Sequence, residues 1–243
     1  MKGNPVKGAG FLLRGFSMLP EPGIRRFVLI PLIINSFLFS GAIWLLLNQF
    51  DRWVAYCLDR LPSWLSFLHW LLWPLFAALV LIVVYYGFSI VANLIAAPFN
   101  GFLSEKVEHM QHGAIMENEG WKGMLAMIPR ALQRELAKMA YYLPRLLILI
   151  ILSFIPIINL AAPVLWFLFG AWMMAIQYCD YPMDNNKVSF KQMKVLLAQR
   201  RLTSLGFGSL VQIGMMIPVV NLIMMPAAVI GATLYWIEEH ASN

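Results

Sequence analysis

Apolar residues dominate from 27 to 50 and again from 64 to 99, and the charged side chains between the two runs are confined to 51–62. At about 1.5 Å per helical residue the first run matches one membrane thickness and the second exceeds it, so both read as full transmembrane helices. The second is expected to extend to about residue 112. Two further apolar regions, 143–178 and 202–237, are each divided near the middle by asparagine and proline. As a single helix 141–178 would measure about 57 Å, and as two full crossings with a turn it would need roughly 44 residues. Halves of about 10 to 15 residues fall short of a hydrocarbon core of about 30 Å, so each region predicts a partly penetrating, re-entrant helical hairpin. Between these regions, residues 121–142 set Arg130, Arg134 and Lys138 four apart, opposite Leu125, Leu132, Leu136 and Met139. That pattern predicts a cytoplasmic amphipathic helix on the membrane surface, its basic face toward headgroups or solvent.

The dividing residues form a repeated motif. Asparagine followed by an apolar stretch and proline occurs at Asn93 to Pro98, Asn159 to Pro163 and Asn221 to Pro226, and Ile155-Pro156-Ile157-Ile158-Asn159-Leu160 is echoed by Ile217-Pro218-Val219-Val220-Asn221-Leu222. Proline removes a helical hydrogen bond, and in lipid the freed carbonyl has no water to accept from. Such breaks belong inside protein or along an aqueous path, as in transport proteins. Asn93, Pro98, Asn100, Asn159, Pro163, Asn221 and Pro226 are therefore candidate pathway and helix-break residues.

Composition agrees, with 60% hydrophobic and 12% charged residues in 243, so the chain reads as one all-α integral membrane domain. Residues 1–26 contain no cleavage-like small-residue site, and this segment is expected to be retained. Lys and Arg concentrate in 1–26, 104–145 and 179–201, which assigns those segments, and the N-terminus, to the cytoplasm. Trp44, Trp53, Trp64, Trp70 and Trp73 flank the remaining loop as an interfacial belt. The basic excess is thereby a matter of topology and calls for no nucleic acid. Membrane lipid is the expected surrounding partner. Gly206-Phe207-Gly208 and Gly231-Ala232 offer small-residue faces for packing within a protomer or between copies, and a homo-oligomer is expected.

No nucleophile-elbow, zinc-protease, P-loop or dinucleotide motif occurs, and the apolar spans hold no carboxylate, so neither an enzyme nor a cofactor is expected. Cys57 and Cys179 read as packing residues, His69 as an interfacial one, and Glu108-His109-Gln111-His112 lacks a further ligand for a metal. Pro22-Gly23-Ile24-Arg25-Arg26, at the start of the first span, has the chemistry of an oxyanion cradle. Glycine admits close approach, the helix start supplies N–H groups and dipole, and two guanidinium groups supply forked donors. Two arginines at a cytoplasmic helix end also serve as topology anchors, and the residues by themselves allow both readings.

Ala96-Ala97-Pro98-Phe99-Asn100 with Glu105-Lys106-Val107-Glu108, Tyr142-Leu143-Pro144-Arg145, the Ile-Pro-Ile-Ile-Asn repeat and Asp180-Tyr181-Pro182-Met183-Asp184 resemble CysZ, a bacterial inner-membrane sulfate permease family, over nearly the whole chain. The resemblance implies sulfate uptake feeding cysteine biosynthesis, often described as proton-dependent, and two long helices with two partly penetrating hairpins. It also implies a Gly-x-Arg-Arg sulfate site, here Gly23, Ile24, Arg25 and Arg26, with isoleucine where leucine is expected. A membrane scaffold without transport activity is the alternative.

Overall fold

A computed structural model describes residues 3–60, 62, 69–112 and 120–241. Every element among them is helical: α1 (Pro5–Met18), α2 (Arg25–Leu58), α3 (His69–His112), α4 (Gly120–Ser153), α5 (Pro156–Asn159), α6 (Ala162–Asn185), α7 (Phe190–Gln199), α8 (Arg201–Met215), α9 (Pro218–Trp236) and a π-helical turn, Ile237–Ala241. The chain divides into two compact units, Leu29–Ala96 and the remainder. Trp64 and residues 113–119 lie outside the described residues, as do the side chains of Cys57, His69, Asn93, Pro98 and Leu125.

Unit 29–96 holds most of α2 and much of α3, the two long helices expected from the first apolar runs. They meet through Val54, Leu58 and Ala77, with Phe50 edge-to-face on Trp73 at 6.4 Å. Phe37, Trp44, Leu47 and Trp70 are exposed, which suits contact with lipid.

In the larger unit the N-terminal segment folds as α1, a helix absent from the sequence expectation. Asn4 caps it, its side chain accepting from the Val6 N–H at 2.9 Å, and Pro5 occupies the first turn. Gly8, Phe11, Leu12, Gly15 and Met18 form its buried stripe. The glycines set how closely it lies on α8 and α9: a methyl group at Gly8 would run into the Thr203 carbonyl, and one at Gly15 into the Ala227 carbonyl. Gly206 and Gly231 are covered by Pro5 and Phe11 of α1, and Gly208 by Ala171 of α6. The small-residue faces therefore pack within the protomer.

The sequence repeat is a structural repeat. Ile155 (φ −83°, ψ 118°) and Ile217 (φ −96°, ψ 111°) are both extended, as a residue before proline prefers. Each preceding helix ends with the isoleucine N–H on a carbonyl three residues back, Leu152 or Gly214, at 3.2 Å. Each following helix starts with the asparagine N–H on the isoleucine carbonyl at 2.8 Å. The copies diverge afterwards, because the first stops after one turn at Leu160 and Ala161, whereas α9 runs on through Pro226. Phe154, Ile157, Leu160 and Met216 at these turns are exposed apolar tips.

The arms of the first hairpin are longer than the sequence argument allowed. Neither Pro144 nor Arg145 ends α4, which continues from the expected 121–142 helix to Ser153 as one element. Within this continuous helix Arg145 Nη1 donates to the Tyr141 carbonyl at 2.7 Å. Pro129–Ser153 and Ala162–Asn185 are each long and apolar enough to cross a membrane.

The basic stripe of α4 also finds different partners from those expected. Arg130 Nε lies 2.9 Å from Asp184 Oδ1 and Arg134 Nε lies 3.4 Å from the same oxygen. Arg134 Nη2 also pairs with Asp180, whose other oxygen is 3.3 Å from Lys138 Nζ. Lys138 and Asp180 are buried. The stripe is thus a ladder of ion pairs joining α4 to the end of α6, and its Arg134 and Lys138 are withdrawn from headgroups and solvent.

Candidate functional site

After α1 the chain turns through Pro20, Glu21 and Pro22 into α2. Gly23 sits at φ +94°, a conformation that costs glycine little and other residues more. Ile24 is fully buried and Phe27 packs against the same core, so this side of the turn is anchored in apolar contacts. Arg25 and Arg26 are exposed at the first turn of α2. The Arg26 guanidinium lies 5.0 Å from the centre of the Phe27 ring.

A residue that the sequence argument did not place in the site joins it from α3. Lys106 Cε lies 3.6 Å from where a Cβ on Gly23 would stand. Its neighbours Leu103 and Val107 are fully buried, which fixes the face of α3 that carries it. The only sequence signal for it was its membership in Glu105-Lys106-Val107-Glu108. Among the described residues, Arg25, Arg26 and Lys106 have no carboxylate within ion-pair distance, in contrast to the α4 ladder. Uncompensated cations beside a helix N-terminus attract an anion.

The backbone contribution is narrower than the cradle argument assumed. The Ile24 and Arg25 N–H groups both point to the Glu21 carbonyl, at 3.1 and 3.3 Å. Ile24 therefore acts here through its buried side chain.

The other sequence candidates are distributed through the fold. Asn100 is 6% exposed and its Nδ2 donates to the Tyr181 hydroxyl at 3.3 Å, tying α3 to α6. Asn159 and Pro163 are exposed at the first hairpin turn and Asn221 is exposed in the first turn of α9, with Pro226 further along that helix. No hydrogen bond joins the Asn159 and Asn221 side chains to each other among the described residues. Glu108 accepts from Asn186 at 3.0 Å, and His109 lies 3.6 Å from Glu105.

At the other end of the same unit, Lys7 and Arg200 pair with Glu239, and Arg14 with Glu238. His240 follows, between the rings of Tyr235 and Trp236. Burial pushes its imidazole down to about 4, against the opposing pull of Glu239 and assisted by Arg200.

A sequence profile for the family described as "Sulfate transporter CysZ/Etoposide-induced protein 2.4" matches residues 11–226. The chain belongs to this family. Proteins named Sulfate transporter CysZ resemble it along almost their full length. The protein from Pseudomonas syringae pv. tomato is 52% identical over 239 residues, covering 98% of this chain and 94% of its own. That from Pseudomonas fluorescens is 50% identical, with 98% and 96% covered, and that from Pseudomonas aeruginosa PAO1 is 49% identical, with 98% and 97% covered. Within this CysZ/EI24 family member, the profile match takes in both Gly23 to Arg26 and Lys106.

Proposed function

We propose that the protein is a sulfate permease of the bacterial inner membrane, bringing sulfate in for cysteine biosynthesis along a channel-like path. The observation that carries the reading is the set of three cations at the start of α2, Arg25, Arg26 and Lys106, none of which has a carboxylate within ion-pair distance among the described residues. The names of the relatives supply the anion. Guanidinium forks match a tetrahedral oxyanion, and the ammonium group of Lys106 adds a third donor from α3.

From this site sulfate passes between the two re-entrant hairpins, where Asn159 and Asn221 offer neutral amides that hold an anion weakly enough to release it. The N-terminus is cytoplasmic in this reading. In its support, the Lys7, Arg14 and Arg200 pairs gather the first helix, the head of α8 and the C-terminal turn together, as expected when α8 and α9 leave and return on one side.

The apolar runs read from the sequence hold no carboxylate, and Asp180 and Asp184 at the end of α6 are held in ion pairs with α4, which supports flux down the sulfate gradient over proton symport. Labelled-sulfate entry into liposomes, with and without a pH gradient, tests this. Flux that follows the sulfate gradient in both conditions is expected, with the His69→Gln variant behaving alike. Flux that requires the proton gradient replaces the channel by a symporter, and no flux favours the scaffold alternative.

A further inference from the structure

Away from the start of α2, a pocket of about 790 Å³ opens among α4, α6, α7 and α8. Its lining is split between apolar and cationic groups. Tyr141, Trp172 and Leu205 form the apolar part, with the Trp172 Nε1–H donating to the Tyr141 hydroxyl at 3.1 Å. Lys191, Lys194 and Arg201 form the cationic part. Lys194 Nζ lies 4.6 Å from the centre of the Tyr141 ring, and the Arg145 guanidinium 3.5 Å from the same centre. Two cations thus share one aromatic ring.

Among the described residues none of these four cations has a carboxylate partner, whereas the cations of the α4 ladder, which begins within one turn of Tyr141, all do. Self-repulsion at such a place is relieved by an anion that also covers apolar surface. The level in the fold narrows the choice. Tyr141 is three residues beyond Lys138, the last cation of the polar ladder, toward the apolar half of α4, so the pocket straddles the boundary between charged and hydrocarbon-facing surface. Basic pockets at that boundary suit phospholipid headgroups, and the volume admits a phosphoglycerol unit with the first carbons of its chains.

We infer that this pocket is a binding site for an anionic membrane phospholipid. The phosphate is held by Lys191, Lys194 and Arg201 and its glycerol end rests on Tyr141 and Trp172. The site is separate from Arg25 and Arg26, so its occupancy does not depend on the sulfate reading.

The test uses the full chain in detergent, titrated with phosphatidylglycerol or phosphatidylcholine and read by native mass spectrometry. Phosphatidylglycerol should be retained by the native sequence and at least about tenfold less by Lys191→Gln with Lys194→Gln, or by Arg201→Gln alone. Arg52→Gln with Lys187→Gln, charge losses outside the pocket, should leave retention unchanged. Equal retention of phosphatidylcholine overturns the proposal, as does a pocket variant that binds phosphatidylglycerol like the native chain. Displacement of the lipid by millimolar inorganic phosphate or sulfate also overturns it, in favour of a simple anion site.

Discussion

Lys106 of α3 reaches to Gly23 in the turn before α2, its Cε 3.6 Å from the position a glycine Cβ would take. The contact joins residues 83 positions apart and adds a cation to a site otherwise made of one short segment. Lys106→Met keeps most of the chain's apolar length while removing the charge. Sulfate affinity measured by calorimetry should fall by roughly tenfold, or about 1.4 kcal/mol, with the protein still folded. Unchanged affinity would remove Lys106 from the site.

Asp180 links two buried cations of α4, Arg134 and Lys138. Removing Asp180 leaves Arg134 only with Asp184 and Lys138 only with Glu135, a partial loss of about 2 kcal/mol. Asp180→Asn should therefore lower the thermal midpoint in detergent by several degrees, with little loss of sulfate affinity. An unshifted midpoint would return the stripe to solvent.

His240 gives the fold a defined response to acid. Its folded value of about 4 lies below the ordinary 6.5, so the unfolded chain takes the proton first. Stability is complete above about 6.5 and is lost progressively as pH falls toward 4, by about 2 kcal/mol once the partial exposure of the ring is discounted. Thermal midpoints across that range should fall less steeply for His240→Gln. Parallel curves for the two proteins would assign the acid response to other groups.

The apolar hairpin turns give a test of depth. Single cysteines at Asn159 and Asn221, in a background lacking Cys57 and Cys179, should resist an impermeant thiol reagent added outside intact cells. Ready labelling of both would mean that α6 and α9 emerge on the far side.

Much of this architecture was legible because it is local. The Ile-Pro-x-x-Asn repeat gave matching turns at Ile155 and Ile217, since proline constrains the residue before it wherever it stands. The long α2 and α3 followed from unbroken apolar runs. What escaped was decided by partners distant in sequence. The spacing of Arg130, Arg134 and Lys138 shows one helical face but not that Asp180 and Asp184 cover it. The boundary expected after residue 142 is not one, because α4 runs on through Pro144 and Arg145 to Ser153. Helix α1 carries local signals in Asn4-Pro5 and the Gly8, Phe11, Leu12, Gly15 stripe, but its basic residues suit an irregular cytoplasmic segment equally well, and only its packing on α8 and α9 makes the stripe a core face. In the site itself, Gly23 to Arg26 formed one contiguous signal, while Lys106 needed the fold.

Sulfate calorimetry on Arg25→Ala with Arg26→Ala tests the central claim most directly. Two charge-assisted contacts of roughly 1.5 to 3 kcal/mol each correspond to a loss of at least 100-fold, and the double variant should bind no measurable sulfate while eluting as folded protein. Native affinity in that variant would contradict the assignment of the anion site to the start of α2.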